Sequence, residues 1–404
     1  MNWPKVELAA VADVIRGVTF SKGDTVGTPE TGFLPVLRAG NISDQLNVHD
    51  DLVFVKDDLV SEHQRLRRGD IVVCMSSGSS NVLGKSAMLQ GEWRGSFGAF
   101  LAAVRPQPEK MCAQFLSHYL RTPEFRLWAS SSSGIGIKNI RASDLKAFQI
   151  PLPPLPEQKR IAGILDQADA LRRLRARALE KLNTFGQAIF QEMFGGQEIS
   201  AISVRDNIPK SRHGWSWELL TDVARLATGH TPDRKRPNYW DGDICWISLR
   251  EIRGLDGKIA SHTNIKITEE GIKNSSAVLL PKGTVCLSRT ASVGFATIMG
   301  KEMATSQDFV NWVCGDRITP HYLLNALISS RKEIQSLATG STHRTIYFPV
   351  VESFKVLLPP MELQKKFEKA TENLPYLIKI AEDAALRVEN LFASLQHRAF
   401  RGEL

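Results

Sequence analysis

The chain has 404 residues, 43% hydrophobic and 23% charged, which is the composition of a folded globular protein with room for two or three domains. Its formal net charge of +8 permits a polyanionic partner without requiring one. No apolar run reaches the ~18 residues of a membrane span. Glu7 and Asp13 interrupt the start, and the five cysteines are scattered without a CxxC pair. We therefore expect a soluble, cytoplasmic protein without a signal peptide, disulfide framework or zinc site.

The sequence repeats itself with an offset of 206 residues. Phe148–Pro154 recurs as Phe354–Pro360, and the pair Gln158-Lys159 recurs as Gln364-Lys365. Near the start of each copy the offset drifts to 210–212, as differences in loop length would produce. A period of this length is too long for a solenoid. It predicts a duplicated unit, with a globular part followed by a helix in each copy.

The globular parts are predicted to mix strands and helices. Strand-like runs bounded by turn residues occur at Asp70–Ser76, Phe100–Val104, Thr284–Ser288 and Phe309–Cys314. Helical spacing occurs at Cys112–Leu120 and Pro320–Ile328.

A long helix is predicted after each proline-rich segment. The first begins near Pro156 and ends at Gly195-Gly196. Its apolar seam has the coiled-coil period of about 3.5 residues per step, and runs through Ile161, Leu165, Ala168, Leu171, Leu174, Ala178, Leu182, Phe185 and Ile189. The second copy of the seam is Phe367, Thr371, Leu374, Leu377, Ile380, Ala384, Val388, Leu391 and Leu395. Pro375 predicts a kink in the second helix; a break into two helices is the less expected alternative.

These patterns predict an α+β protein with internal pseudo-two-fold symmetry. Two mixed α/β domains would be separated by two long antiparallel helices that form a coiled coil. The expected ranges are 1–152 for the first domain, 153–196 for the central helix, 197–356 for the second domain and 357–404 for the distal helix. Two similar surfaces at a fixed separation suit a ligand with a two-part site.

This order of elements resembles the specificity subunit of type I restriction-modification systems. The signature segments are Leu152–Ile161 and Leu358–Lys365. The resemblance implies that each globular part is a target-recognition domain reading one half of an interrupted double-stranded DNA site. It also implies that the helices set the spacer and dock two modification subunits, which methylate adenine with S-adenosylmethionine, and that restriction (motor-nuclease) subunits join for cleavage. The second copy departs from the pattern at Leu363, where the first has Glu157, so the two helices are not expected to dock partners equally.

The sequence predicts no catalytic chemistry in this chain. The Pro-Pro pairs are followed by aliphatic residues and lack the Asn/Asp-Pro-Pro-aromatic segment of an adenine methyltransferase. Gly84-Lys85-Ser86 matches the end of a phosphate-binding loop, but the first glycine is one residue out of register. The histidines lack HxxxH spacing, so no metal is expected, and no cofactor is expected in this chain. A coiled-coil adaptor that binds proteins and reads no DNA remains an alternative function.

DNA contacts are expected in three loops of each domain, where polar residues follow predicted strands or a glycine-rich turn. The candidates in the first domain are Arg38 and Asn41; Ser77, Ser79, Asn81 and Lys85; and Lys138, Asn139 and Arg141. Those in the second domain are Ser248, Arg250 and Arg253; Arg289 and Thr290; and His343, Arg344 and Thr345. For any one of them taken alone, a solvated loop residue is the slightly favoured interpretation over a base contact. The recurrence of three loops at matching places favours DNA reading, and their different residues indicate different half-sites.

A basic run lies on the first helix, at Arg172, Arg173, Arg175 and Arg177. Such runs commonly form the solvated face of a coiled coil, which is the interpretation we favour. Contact with phosphates of the unread spacer is the alternative.

Overall fold

The computed structural model describes residues 3–79, 81–131, 138–195, 202–204, 208, 214–340 and 343–404. The chain forms two compact units. Unit 1 consists of Met1–Ala176 and Asp383–Leu404, and unit 2 consists of Arg177–Glu382. Both divisions fall inside long helices, so each unit contains one globular part and one section of each long helix.

Unit 1 is built on a four-stranded antiparallel sheet. The strands of unit 1 as a whole are β1 Lys5–Glu7, β2 Ala12–Arg16, β3 Thr25–Val26, β4 Phe33–Leu37, β5 Val53–Lys56, β6 Ile71–Cys74, β7 Ser76–Ser77, β8 Ser86–Met88, β9 Ser96–Phe97, β10 Leu101–Pro106, β11 Lys138–Asn139 and β12 Gln149–Pro151. Its helices are α1 Ala113–Tyr119, α2 Pro123–Ser131, α3 Ala142–Ala147 and the first part of α4 Leu155–Phe194. The main sheet has the order β2-β10-β6-β8, and a second sheet has the order β3-β5-β4-β9. Every residue of β6 is buried, because Ile71 and Val73 enter one apolar core while Val72 and Cys74 enter another on the opposite face.

Unit 2 repeats this plan. Its strands are β13 Ile202–Ser203, β14 Ser216–Leu219, β15 Ala224–Thr228, β16 Trp240–Ile247, β17 Ile259–Ala260, β18 Lys266–Ile267, β19 Val285–Ser288, β20 Ala296–Met299, β21 Ala304–Thr305, β22 Phe309–Cys314 and β23 Lys355–Leu358. Its helices are α5 Leu220–Val223, α6 Ile252–Leu255, α7 Glu269–Lys273, α8 Pro320–Ser329, α9 Arg331–Ser336, α10 Phe348–Glu352, α11 Met361–Thr371 and the start of α12 Leu374–Arg401. The main sheet has the order β15-β22-β19-β20-β17, whose first four strands correspond to β2-β10-β6-β8.

The duplication extends to single backbone contacts. Strand β9 pairs in parallel with β4, and β21 pairs in parallel with β16. In each unit a glycine follows the edge strand of the main sheet, β2 or β15. At this glycine the chain passes closest to the segment that follows β9 or β21. A Cβ on Gly17 would lie 2.1 Å from the carbonyl oxygen of Gly98, and one on Gly229 would lie 2.2 Å from that of Ser306. Both glycines are therefore required by the same close approach of two chain segments.

A buried glutamine fastens each long helix to its own globular part. In unit 1 the Cys112 amide donates to Gln158 Oε1 at 2.8 Å, and Gln158 Nε2 donates to the carbonyls of Lys110 and Pro153 at 3.0 and 2.9 Å. In unit 2 Gln364 makes the same three hydrogen bonds, with Thr319, Arg317 and Pro359. The glutamine of the repeated proline-rich signature is thus a structural clamp.

The distal helix is interrupted, as two helices separated by Glu372 and Asn373. The sequence favoured a kink at Pro375 over a break into two helices. The structure has the break. Pro375 has no N–H to donate to the carbonyl of Thr371. The Thr371 hydroxyl adds to the effect, since it donates to the carbonyls of Phe367 and Glu368 at the end of α11.

Within each unit the two helix sections run antiparallel. In unit 1 Arg160 donates to the carbonyl of Leu404, and Arg172, three turns further along α4, pairs with Glu389. In unit 2 the ring of Phe190 on α4 contacts Phe367 on α11, with centroids 5.6 Å apart. Among the described residues no helix is both long and apolar enough to cross a membrane.

The predicted seam is only partly correct in the middle of the helices, where Leu182, Ala384 and Val388 are partly buried but other members are exposed. Leu171, Leu174, Phe185, Leu377, Ile380 and Leu391 are all more than two-fifths exposed. Neighbouring residues are more buried, among them Arg172, Leu179, Gly186, Ile378, Ala381 and Phe392. A straight α-helix has 3.6 residues per turn and drifts away from a strict 3.5-residue repeat. The ends of the seam are buried in the cores of the globular parts, as Ile161 and Leu165 show.

Candidate nucleic-acid interface

The three candidate loops of the first domain come together in unit 1. Ser76 and Ser77 form β7, which pairs with β11 at Asn139 and Lys138, so the second and third loops are joined by a short ladder. Arg38 and Ser76 line one open cavity of about 590 Å³, so the first loop lies beside the second. The fold thus unites segments that are up to a hundred residues apart in sequence.

Arg38 and Asn41 play different parts in the first loop. Arg38 is exposed and forms an ion pair with Asp51 at 2.7 Å. Asn41 is only 1% exposed; its Oδ1 accepts from the Arg38 amide and its Nδ2 donates to the carbonyl of Asp50. The assignment of Asn41 as a DNA contact is therefore corrected, because its amide group is used inside the loop and holds Arg38 in place.

The other candidates of unit 1 are at or near the surface. Ser79, Asn81, Asn139 and Arg141 are exposed, and Ser77 and Lys85 are partly buried. The Ser77 hydroxyl accepts a hydrogen bond from the Ser79 amide, which shapes the turn. For Lys138 the backbone is described in β11, and its side chain lies outside the described part of the chain.

The three loops of the second domain also come together. Thr290 and Thr345 form a β-bridge, which joins the second and third loops. Ser248 and Arg250 line a cavity of about 690 Å³ together with Gln307 and Asp308. The Thr290 hydroxyl donates to the Asp308 carboxylate, so the second loop borders the same cavity.

Arg289 is held within this cluster. Its guanidinium lies 4.7 Å from the centre of the Phe348 ring and donates to the carbonyls of Gln307 and Ile346. Burial lowers the pKa of Arg289, and the nearby Asp308 opposes that effect. Two of its N–H donors thus join segments of the site, while Nε has no hydrogen-bond partner among the described residues. The interpretation of Arg289 as a base-reading side chain stays a prediction.

The remaining candidates of unit 2 divide into free and engaged side chains. Arg250 is exposed and makes no hydrogen bond or ion pair with any described residue. Arg253 lies over the Phe295 ring, and Arg344 donates to the carbonyls of Gln335 and Ala338. Ser248 is buried, His343 is exposed, and the Thr345 hydroxyl donates to the carbonyl of His343.

Both cavities are bordered by residues that the sequence analysis missed. The segment after β9 supplies Phe100, and the corresponding segment after β21 supplies Gln307 and Asp308. Phe100 and Asp308 occupy equivalent places, because their carbonyls accept from the amides of Met75 and Arg289, each just beyond the central strand. The repeat offset could have identified this pair, but an isolated aromatic residue gave no polar signal.

Two of the four arginines of the basic run on α4 belong to an ion-pair network. Asp169, 2% exposed, accepts ion pairs from Arg121, Arg172 and Arg173. Burial raises the pKa of Asp169, but Arg121 and its two arginine neighbours outweigh that effect and lower the pKa below its ordinary value. Arg172 and Arg173 therefore fit neither interpretation, because they do not form a solvated face and are not free to bind phosphates. Arg175 and Arg177 are exposed. No three His, Cys, Asp or Glu residues in the described part are grouped to hold a metal ion.

Comparison with known proteins identifies the family. The model of the type I restriction modification DNA specificity domain matches residues 1–184 and 213–389. The chain is 27% identical to the StySPI specificity subunit of Salmonella potsdam and 27% identical to the EcoKI specificity subunit of Escherichia coli. Each alignment covers 100% of this chain and 89% of the relative. The fold is similar to that of the type I S subunit from M. genitalium, with a TM-score of 0.60 at 15% identity over 99% of this chain and 96% of that one. The chain therefore belongs to the specificity subunits of type I restriction-modification systems and carries two DNA specificity domains.

Proposed function

We propose that this chain is the DNA-recognition subunit of a type I restriction-modification complex, and that each globular part reads one half of a bipartite double-stranded site. One observation carries the proposal. Each unit gathers three loops around a cavity on the same backbone frame, with different side chains at equivalent places. A conserved frame with divergent side chains is what two domains need when each reads its own sequence.

The polar side chains of the two sites have two different proposed roles in DNA binding. Arg250, Arg38 and Arg141 are exposed cations that reach base edges or phosphates. Arg289 and Asn41 hold the loops in shape and contribute indirectly. A binding surface of this kind works by position and charge, and no chemical step is assigned to this chain.

The long helices supply the surface for partner proteins. Leu171, Leu174 and Phe185 are 41%, 59% and 52% exposed along α4. Large apolar side chains left in water in one row are typical of a protein-docking surface. We propose that modification subunits dock there and bring S-adenosylmethionine, that restriction subunits join the complex, and that the length of the helices sets the spacer between half-sites. We expect such a complex in the cytoplasm, with the DNA.

Domain exchange tests the reading of half-sites. Replacing residues 1–152 by the same region of a relative should change one half of the methylated site and leave the other intact. The reciprocal exchange of residues 214–356 is the matched control and should change only the other half. Mapping methylated adenines after expression with the modification subunit provides the measurement. If both halves change together in either exchange, separate reading is wrong.

A DNA-binding assay distinguishes this function from a protein adaptor. The complex with its modification subunit should bind DNA with a sequence preference and with an affinity that falls steeply as salt rises. An adaptor that reads no DNA should show neither property, while still binding its protein partners.

A further inference from the structure

Phe100 is an exposed aromatic residue whose backbone is held by two hydrogen bonds. Its side chain is 69% exposed, although its backbone carbonyl accepts hydrogen bonds from the amides of Met75 and Ser76. It lines the 590 Å³ cavity of unit 1 together with Arg38 and Asp51. The other walls are largely apolar and come from Val18, Phe20, Leu37, Ala99 and Leu101. We call this cavity, with Phe100, the apolar groove.

The second domain shows that the frame does not require an aromatic residue at this place. There Asp308 stands in the position of Phe100, and its carboxylate accepts from the hydroxyls of Thr290 and Ser306. The cavity beside it also includes Arg234, Arg250 and Gln307. One frame thus carries a largely apolar groove in unit 1 and, in unit 2, a groove where charged and polar side chains lie beside Trp240 and Trp246. The side chain at this place is free to suit what each groove contacts.

Base chemistry suggests what an apolar groove contacts. In the major groove adenine, guanine and cytosine present hydrogen-bond donors and acceptors, and only thymine presents an apolar group, its 5-methyl. Arg38 and Ser76, which also line the groove, belong to the loops proposed to face DNA. Arg38, which is exposed although paired with Asp51, would supply a cation next to the phosphates. We propose that Phe100 is a specificity-determining residue, and that the apolar groove recognises a thymine of the first half-site through its 5-methyl group. This inference rests on the proposed function.

Replacing thymine by deoxyuridine tests the contact, because the change removes the methyl group and leaves the base-pairing edge intact. Each thymine of the recognised site is replaced in turn, and the affinity of the complex with its modification subunit is measured. One position in the first half-site should lose about three- to fivefold in affinity, which is the effect of burying one methyl group. The Phe100→Ala variant should bind more weakly and bind the thymine and deoxyuridine duplexes equally at that position.

Two further variants control for folding and for general apolar contact. Phe100→Leu keeps an apolar side chain and should retain most of the preference for thymine. Leu127→Ala removes a side chain that is 71% exposed on α2 and does not line the apolar groove, so it should leave the preference unchanged. Both variants change exposed residues, and we therefore expect them to fold like the parent chain. Thermal unfolding of each variant and of the parent chain checks this.

Three outcomes overturn the proposal. If bipartite binding persists and no thymine responds to loss of its methyl group, the apolar groove does not read thymine. If Phe100→Ala weakens binding to every sequence equally, the ring stacks as a wedge between bases and carries no specificity. If the complex binds no DNA sequence preferentially, the proposed function itself fails, and the methyl contact with it.

Discussion

Replacing Gln158 by alanine should uncouple the first globular part from its helix. The side chain is fully buried and makes three hydrogen bonds, with the amide of Cys112 and the carbonyls of Lys110 and Pro153. At about 1 kcal/mol net for each hydrogen bond, we expect a loss of about 3 kcal/mol in the stability of unit 1. A difference of that size raises the population of the open state by about a hundredfold, since about 1.4 kcal/mol corresponds to a factor of ten.

Hydrogen exchange localises the effect. Amides of β6 in unit 1 should exchange about a hundredfold faster in Gln158→Ala, while those of β19 in unit 2 should be unchanged. The equivalent Gln364→Ala variant should show the reverse pattern. Gln167→Ala is the matched control, because Gln167 is an exposed glutamine on the same helix with no hydrogen bond to any described residue. If Gln158→Ala exchanges no faster than Gln167→Ala, the glutamine does not act as a clamp.

Three further predictions follow from the site and the helices. Arg289→Ala should weaken binding to all DNA sequences about equally, measured across a library, because the guanidinium holds loops together; relaxation at a single base position would identify it as a reading residue. Asp169 has a lowered pKa in the folded unit, so its contribution to stability is complete above its unfolded value, ordinarily 3.8, and is lost as the pH falls through the folded pKa. Asp169→Asn should therefore destabilise unit 1 at neutral pH and flatten its acid unfolding curve below roughly pH 5, and an unchanged curve would assign the acid sensitivity to other groups. Inserting seven residues after Arg177 and after Asp383 adds about 10 Å to each helix and should lengthen the preferred spacer by about three base pairs. Methylation profiling over a spacer-length library measures this, and an unchanged optimum in an active variant would mean that the helices do not measure DNA.

The parts of the fold that follow from local periodicity were predictable. The fully apolar run at β6 and the proline-flanked start of α4 both follow from short-range patterns in the chain. The exact seam was not predictable from apolar residues alone. The side chain of Arg172 lies over the Phe392 ring at 5.6 Å, and this contact gives an arginine a seam position that a pattern of leucines does not reveal.

The candidate site was predictable as a set of loops and less so by residue. Asn41 and Arg289 have the residue types expected of a DNA contact, but both use their polar groups within the loops. A sequence does not distinguish these uses, because the same donors and acceptors serve either one. Phe100 was missed for the opposite reason, since an apolar residue next to a strand is normally assigned to the core.

Unit 1 is built from two separate parts of the chain, and this affects how the chain folds during synthesis. Phe392 and Ala399 lie in the core of that unit, the Trp3 indole donates to the carbonyl of Ala399, and Phe400 packs on Phe115 at 5.3 Å. The ribosome therefore makes all of unit 2 before it makes the residues that complete unit 1. The first part of the chain to emerge must wait with an open apolar core while a later part finishes folding. A nascent chain cut short within its last turns would present a finished second domain beside an unfinished first one, and quality-control proteases would meet that exposed core.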